Sequence, residues 1–248
     1  MIKVSLYKYG FKICRKFNSH GGNNVYITDY FSVSKNCKSK RCMGIEGMPG
    51  YYSCIPLSDK DNTLLIYEYC QYLVPVDMEK GLILGGAGGT VTRYLLKKFP
   101  YALIDVVEIC EFYILLSKKY FLKAFQNDKR LYYYNMNAED YLNFCVGCHH
   151  YDFIFCDLFD KNMVIDLVFK ADFQKSIRAL LSVKGVLVIN LGIITAQKVK
   201  VFLNIMNSLY PYIELFKFDN AYVMVLSKSD LQSICDINLL SRKKNFYR

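Results

Sequence analysis

Lys80-Gly-Leu-Ile-Leu-Gly-Gly-Ala-Gly-Gly-Thr90 is the stretch whose reading decides how this chain folds. Leu82-Ile83-Leu84 is a short apolar run, with the length and flanks of a strand buried on both faces, as the strands of parallel sheets are. It runs straight into Gly85, Gly86, Gly88 and Gly89, with Ala87 between the pairs. Residues 90–99 then carry Val91, Leu95 and Phe99 at helical spacing. Strand, glycine turn and helix make the first unit of a nucleotide-binding α/β sheet. The glycines permit a tight turn and let a ligand lie against bare amides at a helix N-terminus. No Lys-Ser/Thr pair follows the last glycine, which excludes the phosphate-binding lysine loop.

Downstream of this unit, strands and helices alternate. Apolar runs predict strands at 81–85, 103–108, 130–135, 152–157 and 185–191, and helical periodicity falls at 89–99, 111–124, 138–146, 171–182 and 195–209. The alternation predicts a doubly wound parallel sheet. Residues 212–218 and 221–226 read as two more strands joined by Asp219-Asn220. A two-residue link cannot make a parallel crossover, so this pair is an antiparallel hairpin. The expected fold is a Rossmann-like, seven-stranded, mostly parallel sheet of the class I methyltransferase type.

Upstream, 25–33, 41–46 and 51–56 read as short strands of a small antiparallel region, and 62–73 as a helix with Leu65, Tyr69 and Tyr72 on one side. Residues 1–23 are basic and weakly patterned. The expected division is a basic N-terminal β region at 1–60, the Rossmann-like domain at 61–228, and a basic tail at 229–248.

The 248 residues are 53% hydrophobic, enough for a sizeable core, and carry a net charge of +10. Residues 1–50 hold nine Lys/Arg against two acids, and 231–248 hold four against one, so the middle is neutral. Basic ends suit a solvated surface first; nucleic acid is the less favoured partner. No continuous apolar segment predicts an export signal or a membrane span. Ten cysteines without an export signal predict reduced thiols in a cytoplasmic setting. Cys145-Val-Gly-Cys148-His149 has the spelling of a haem attachment site, but its simpler reading is the close of a helix, and no second pair of ligands predicts a metal site.

Ligands in such sheets lie at the carboxyl ends of the strands. Polar residues expected at those ends are Glu108, the segment Asn137-Ala138-Glu139-Asp140, Asp157 with Asp160, and Asn190. Glu108 falls about twenty residues after the glycines, where a carboxylate grips ribose hydroxyls.

Over about residues 26–226 the chain resembles the spermidine synthases and their synthase-like relatives. The matching motifs are Gly85-Gly-Ala-Gly-Gly89, Val107-Glu108-Ile109, Asn137-Ala-Glu-Asp140, Tyr151-Asp-Phe-Ile-Phe-Cys-Asp157-Leu-Phe-Asp160 and Gly185-Val-Leu-Val-Ile-Asn190-Leu. The resemblance implies a nucleoside site with the glycines against the ligand, Glu108 and Ile109 at the ribose, and Asn137 with Ala138 at the adenine. It implies S-adenosylmethionine or its decarboxylated form as co-substrate, no metal, and a small-molecule amine as acceptor. Asp157 is then the catalytic base and Asp160 the catalytic anchor of the amine, with Tyr52 and Tyr67 at the substrate. It leaves a homodimer open. Methyl transfer to a small molecule or RNA, and a non-catalytic synthase-like subunit, remain the alternatives. The chain also departs from the family pattern. Gly88 stands at an acidic position, Asn137 at the adenine-reading aspartate, Tyr52 at a glutamine, and Tyr67-Glu68-Tyr69 at a Tyr-His-Glu motif. Lys161 follows Asp160 where synthases have an Asp-Pro.

Overall fold

The computed structural model describes residues 2–18, 23–34, 37–48, 50–86, 88–145, 147, 150–161, 163–218 and 220–243, the last three by backbone alone. Ala87, Cys148 and His149 lie outside them. The chain separates into two compact units. One comprises Met1–Glu68, Ala87–Lys98 and Cys110–Asp128; the other comprises Tyr69–Gly86, Phe99–Ile109 and Lys129–Arg248. The sequence reading divides the chain after residues 60 and 228. Instead the helix that follows the glycines, and the one that follows Glu108, group with the N-terminal strands.

The first unit is built on a five-stranded antiparallel meander: β1 (Ile2–Tyr7), β2 (Gly10–Phe17), β3 (Val25–Ser32), β4 (Lys40–Ile45) and β5 (Ser53–Pro56). Within residues 1–23, read from sequence as weakly patterned, the structure places the two strands β1 and β2. Ile2-Lys-Val-Ser-Leu-Tyr7 alternates apolar and polar residues at the strand period. One face of the sheet carries Val25, Ile27, Met43, Ile45 and Ile55, which pack with Leu116 and Phe121 into a core. Asp29 is buried on the same face. Arg41 Nε and Nη2 donate to its two carboxylate oxygens at 2.5 and 2.9 Å, and Arg15 Nη1 adds a third bond at 2.8 Å. Arg41 also donates to the Tyr120 carbonyl at 2.8 Å.

Cys42 and Cys54 face each other across β4 and β5 and form a disulfide, which corrects the expectation of ten reduced thiols. The helix predicted at 62–73 shrinks to Cys70–Leu73. Tyr67 takes φ +56°, a left-handed conformation that a right-handed helix cannot contain. The helix expected over 111–124 is α-helical only at Glu111–Leu116. It widens to a π turn over Ser117–Phe121 and tightens to a 3-10 turn over Lys123–Phe125.

The second unit carries β6 (Lys80–Leu84), β7 (Leu103–Val107), β8 (Leu131–Tyr134), β9 (Tyr151–Cys156), β10 (Phe159–Asp160), β11 (Met163–Val164), β12 (Leu181–Gly192), β13 (Tyr212–Phe218) and β14 (Ala221–Ser227). Seven of them form one sheet in the order β13-β14-β12-β9-β6-β7-β8. The strands from β12 to β8 are parallel; β14 is antiparallel to both β12 and β13. Leu82, Leu84, Phe153, Ile154 and Phe155 are almost fully buried in its middle, each contributing about 1.5–3 kcal/mol of transfer free energy. Helices Ala138–Phe144, Ala171–Leu180 and Ala196–Asn207 end earlier than their sequence periodicity suggested, by two residues each. The expected C-terminal tail contains a 3-10 turn, Leu231–Ser233, and a helix, Ile237–Lys243.

A buried polar cluster ties four of these elements together. Tyr151 donates to Asp105 Oδ2 at 2.6 Å, Tyr141 donates to the same oxygen at 3.3 Å, and the two hydroxyls lie 2.6 Å apart. Lys80 Nζ sits 3.5 Å from that carboxylate. Every partner of the charge is therefore present, which is the condition for burying one. No helix among the described residues is long and apolar enough to cross a membrane.

Candidate functional site

The candidate site is built on the carboxyl ends of β6, β7 and β9. Gly85 closes β6. Its N–H donates to the Val107 carbonyl at 2.9 Å, while the Leu84 carbonyl accepts from the Asp157 N–H at 2.8 Å. The turn is thus tied to the neighbouring strands on both sides. Gly85 takes φ +89°, and a Cβ there would lie 2.3 Å from the Asp157 carbonyl oxygen. A Cβ on Gly86 would meet the Val106 side chain at 2.2 Å. Backbone at Gly85 and a side chain at Gly86 approach so closely that only glycine fits. Gly85→Ala is accordingly expected to destabilise the protein by about 2–3 kcal/mol, combining overpacking with a left-handed alanine. A thermal melt superimposable on that of the parent would contradict this packing.

Glu108 follows β7 and is 8% exposed. Its N–H donates to the Tyr134 carbonyl at 3.1 Å. Asn135 Nδ2 donates to the carbonyls of both Glu108 and Ile109 at 2.9 Å, fixing the segment from the side of β8. Ile109 is 70% exposed. Sequence reasoning did not single out Asn135, whose signal is only an amide after a strand. Asn137 is exposed and caps helix Ala138–Phe144: its Oδ1 accepts from the Glu139 N–H at 2.9 Å. One lone pair of Oδ1 and both amide hydrogens stay available to a ligand. Ala138 is buried behind it.

Asp157 directly follows β9 and is half-buried. Asn190, late in β12, donates from Nδ2 to Asp157 Oδ1 at 2.7 Å, and its own Oδ1 accepts from the Gly192 N–H at 3.0 Å. The carboxylate is therefore held in one orientation by an amide that is itself fixed. Burial pushes the Cys156 thiol up to about 12, and the charge of Asp157 adds to the shift. Burial and then Asp157 also raise the Cys70 thiol well above its ordinary value. Both thiols stay protonated at neutral pH, so neither supplies a thiolate beside Asp157.

Asp160 lies beyond the strand end, in extended backbone. Phe159 and Asp160 are extended and pair with Met163–Val164 as a small hairpin. Phe159 packs on Gly192, where a Cβ would lie 2.8 Å from its ring, and Asp160 is exposed.

The structure thus gathers Gly85, Gly86, Glu108, Ile109, Asn137, Ala138, Asp157 and Asp160 in the second unit. Asn190, Glu139 and Asp140 lie in that unit too, whereas Gly88, Gly89, Tyr52 and Tyr67 belong to the first. There Gly88 abuts Ser53, whose Oγ would lie 2.2 Å from a Cβ, and Gly89 takes φ +76° before helix Thr90–Lys98. Thr90 Oγ1 accepts from the Cys54 N–H at 3.0 Å. Tyr52 donates to the Met48 sulfur at 3.1 Å. The Cys148-His149 reading lies outside the described residues. Among those residues no group of three His, Cys, Asp or Glu side chains is arranged to hold a metal.

An open, mostly parallel seven-stranded sheet closed by an antiparallel hairpin defines a methyltransferase-like transferase fold. Residues 70–230, well over half of the chain, match the family described as the spermine/spermidine synthase domain. The chain belongs to the spermine/spermidine synthase family, and its likeness within it is to polyamine aminopropyltransferases. The enzyme of that name from Prochlorococcus marinus strain MIT 9312 is 28% identical over 223 residues, covering 79% of this chain and 76% of the relative. That from strain MIT 9301 is 35% identical over 112 residues, 43% of this chain, and the match spans only 38% of the relative's length. A solved spermidine synthase in complex with the transition-state analogue AdoDATO shares the fold. Its TM-score is 0.65 at 18% identity, over 99% of this chain and 86% of that one.

Proposed function

We propose that this chain transfers an aminopropyl group from decarboxylated S-adenosylmethionine to a polyamine such as putrescine, releasing methylthioadenosine. The observation that carries the reading is the Asn190-held carboxylate of Asp157 beside Gly85, at the strand ends where such folds bind nucleosides. The polyamine aminopropyltransferase relatives support the same reaction.

The steps follow from the chemistry of the groups. The glycine turn offers backbone amides and room for the nucleoside, and Glu108 accepts hydrogen bonds from the ribose hydroxyls. Asn137 meets the adenine edge. The acceptor amine arrives protonated and is drawn to carboxylates; Asp160 anchors it and Asp157 takes its proton. The freed nitrogen lone pair then attacks the methylene carbon beside the sulfonium. A C–N bond forms, the C–S bond breaks with its electron pair going to sulfur, and neutral methylthioadenosine leaves. Asp157 later passes the proton to water. Gly88 stands where the family has an acidic residue, so the donor's side chain has one carboxylate partner fewer.

Calorimetry with decarboxylated S-adenosylmethionine, S-adenosylmethionine and methylthioadenosine tests the proposal. The expected result is binding of the first and third with a clear preference for the first over the second. No heat with any of them near millimolar concentration, about −4 kcal/mol of binding, would remove the nucleoside site. A preference for S-adenosylmethionine would turn the reading to methyl transfer.

A further inference from the structure

The five-stranded sheet has a second face, away from the Val25–Ile27–Met43 core, and its composition is distinctive. Side chains alternate between the faces of a strand. The register therefore sets Ser5, Lys12, Tyr30 and Lys40 side by side in one row across β1 to β4. Tyr30 lies between two ammonium groups: Lys12 Nζ is 5.9 Å and Lys40 Nζ 5.7 Å from its ring centroid. Tyr7 meets Tyr30 edge to face at 5.3 Å, and Tyr51 does so at 6.2 Å with a 2.6 Å hydroxyl contact. Lys40 also stands 5.8 Å from the Tyr51 ring, which is 43% exposed at the surface. In the neighbouring row Lys3 is exposed, ahead of the buried Thr28, Cys42 and Cys54.

The sheet contributes no carboxylate to this row. Asp29 points to the opposite face, within the arginine cluster. The acids at the rim already have cations: Glu46 with Lys16 at 3.7 Å, and Asp61 with Lys38 at 2.7 Å. Gly88 abuts Ser53 and Met43, which lie on the face opposite to the lysine row. The lysine–tyrosine face is thus separate from the glycine turn, and nothing in aminopropyl transfer uses it.

From this face we infer that the N-terminal sheet binds single-stranded nucleic acid. A polyanion answers the lysines, and aromatic rings among cations give unpaired bases a surface on which to stack. A duplex hides those base faces, and an anionic lipid surface has no use for the rings. Nothing in the row reads bases or the 2′-hydroxyl, so binding tolerates sequence and takes RNA and DNA alike.

The test uses the full chain and a fluorescein-labelled mixed oligonucleotide of about 12 nucleotides, as RNA, as DNA and as a duplex, followed by fluorescence anisotropy. Micromolar binding to both single strands at about 50 mM salt is expected, with a steep linear fall of log affinity against log salt. Lys12→Gln with Lys40→Gln should lower that slope by about 1.4, two phosphate contacts at ~0.7 each. Tyr51→Ala should weaken binding roughly fivefold or more, as loss of one stacking ring does. Lys184→Gln with Lys200→Gln, on the other unit, should change neither quantity. Circular dichroism melts check that each variant is folded. The inference is overturned by no anisotropy change up to about 100 μM protein. It is equally overturned if the duplex binds as tightly as the single strands, if both double variants lose the same slope, or if anionic phosphatidylserine vesicles bind and the oligonucleotides do not.

Discussion

Asp157→Asn is expected to slow methylthioadenosine release from decarboxylated S-adenosylmethionine and putrescine by about 10²–10⁴-fold, with the melting temperature close to that of the parent. The substitution keeps the shape and an acceptor oxygen for Asn190, which donates at 2.7 Å, so the strand end stays in place. What is lost is the basicity that lets the carboxylate take a proton from an ammonium. The effect should fall on the chemical step, with donor affinity by calorimetry little changed, because in the proposed reaction Asp157 acts on the acceptor. A loss smaller than about tenfold would sink the role of Asp157 as base while leaving the nucleoside site standing.

Asp29→Ala should be the most damaging single change in the first unit, costing about 3–5 kcal/mol. The carboxylate is the shared partner of Arg15 and Arg41, and its removal leaves two guanidinium groups crowded without a counter-ion. For a chain of this length the loss corresponds to a fall in melting temperature of roughly 6–20 °C, at ~2–4 °C per kcal/mol. The pH dependence checks the cause. Burial raises the carboxyl, but the hydrogen bonds from Arg41 and then Arg15 outweigh it and hold Asp29 below its ordinary value. A depressed acid contributes its stability above the unfolded value of about 3.9 and loses it as pH falls through the folded one. The gap between parent and variant should be flat from neutral pH down to about 5 and close below about 4. A gap that stays constant to the lowest pH would mean that packing, and not charge, sets the cost.

Where the sequence speaks for itself, the reason is local. Parallel strands buried on both faces read as unbroken apolar runs, so β6, β7 and β9 were visible as Leu82-Ile83-Leu84, Val106-Val107 and Phe153-Ile154-Phe155. The two-residue link after Phe218 left only one connection for β13 and β14. Glu108 and Asp157 could be nominated because residues directly after such strands lie on the ligand edge. Other features depend on distant partners. The bond from Asn190 to Asp157 spans 33 residues and has no signature at either end. Tyr67 broke a helix whose apolar spacing looked adequate, through a backbone angle that spacing cannot reveal. The hairpin that holds Asp160 depends on its pairing with Met163, which its spacing from Asp157 does not reveal. The strands β1 and β2 did alternate, but β1 leaves its apolar side chains exposed and β2 only half-buries most of its own, and lysines interrupt both.

The cluster of Tyr141, Tyr151 and Asp105 has an optical consequence. The chain has 22 tyrosines and no tryptophan, so phenol groups alone dominate its near-ultraviolet absorption. Burial, followed by hydrogen bonds and the charge of Asp105, raises both cluster hydroxyls well above the ordinary phenol value. In alkaline solution these two hydroxyls therefore keep their protons after an ordinary phenol would have lost its own. Burial also raises Tyr210 in the same unit and Tyr30 in the first, so late-appearing phenolate is a label-free read-out of the opening of the buried tyrosines as a group.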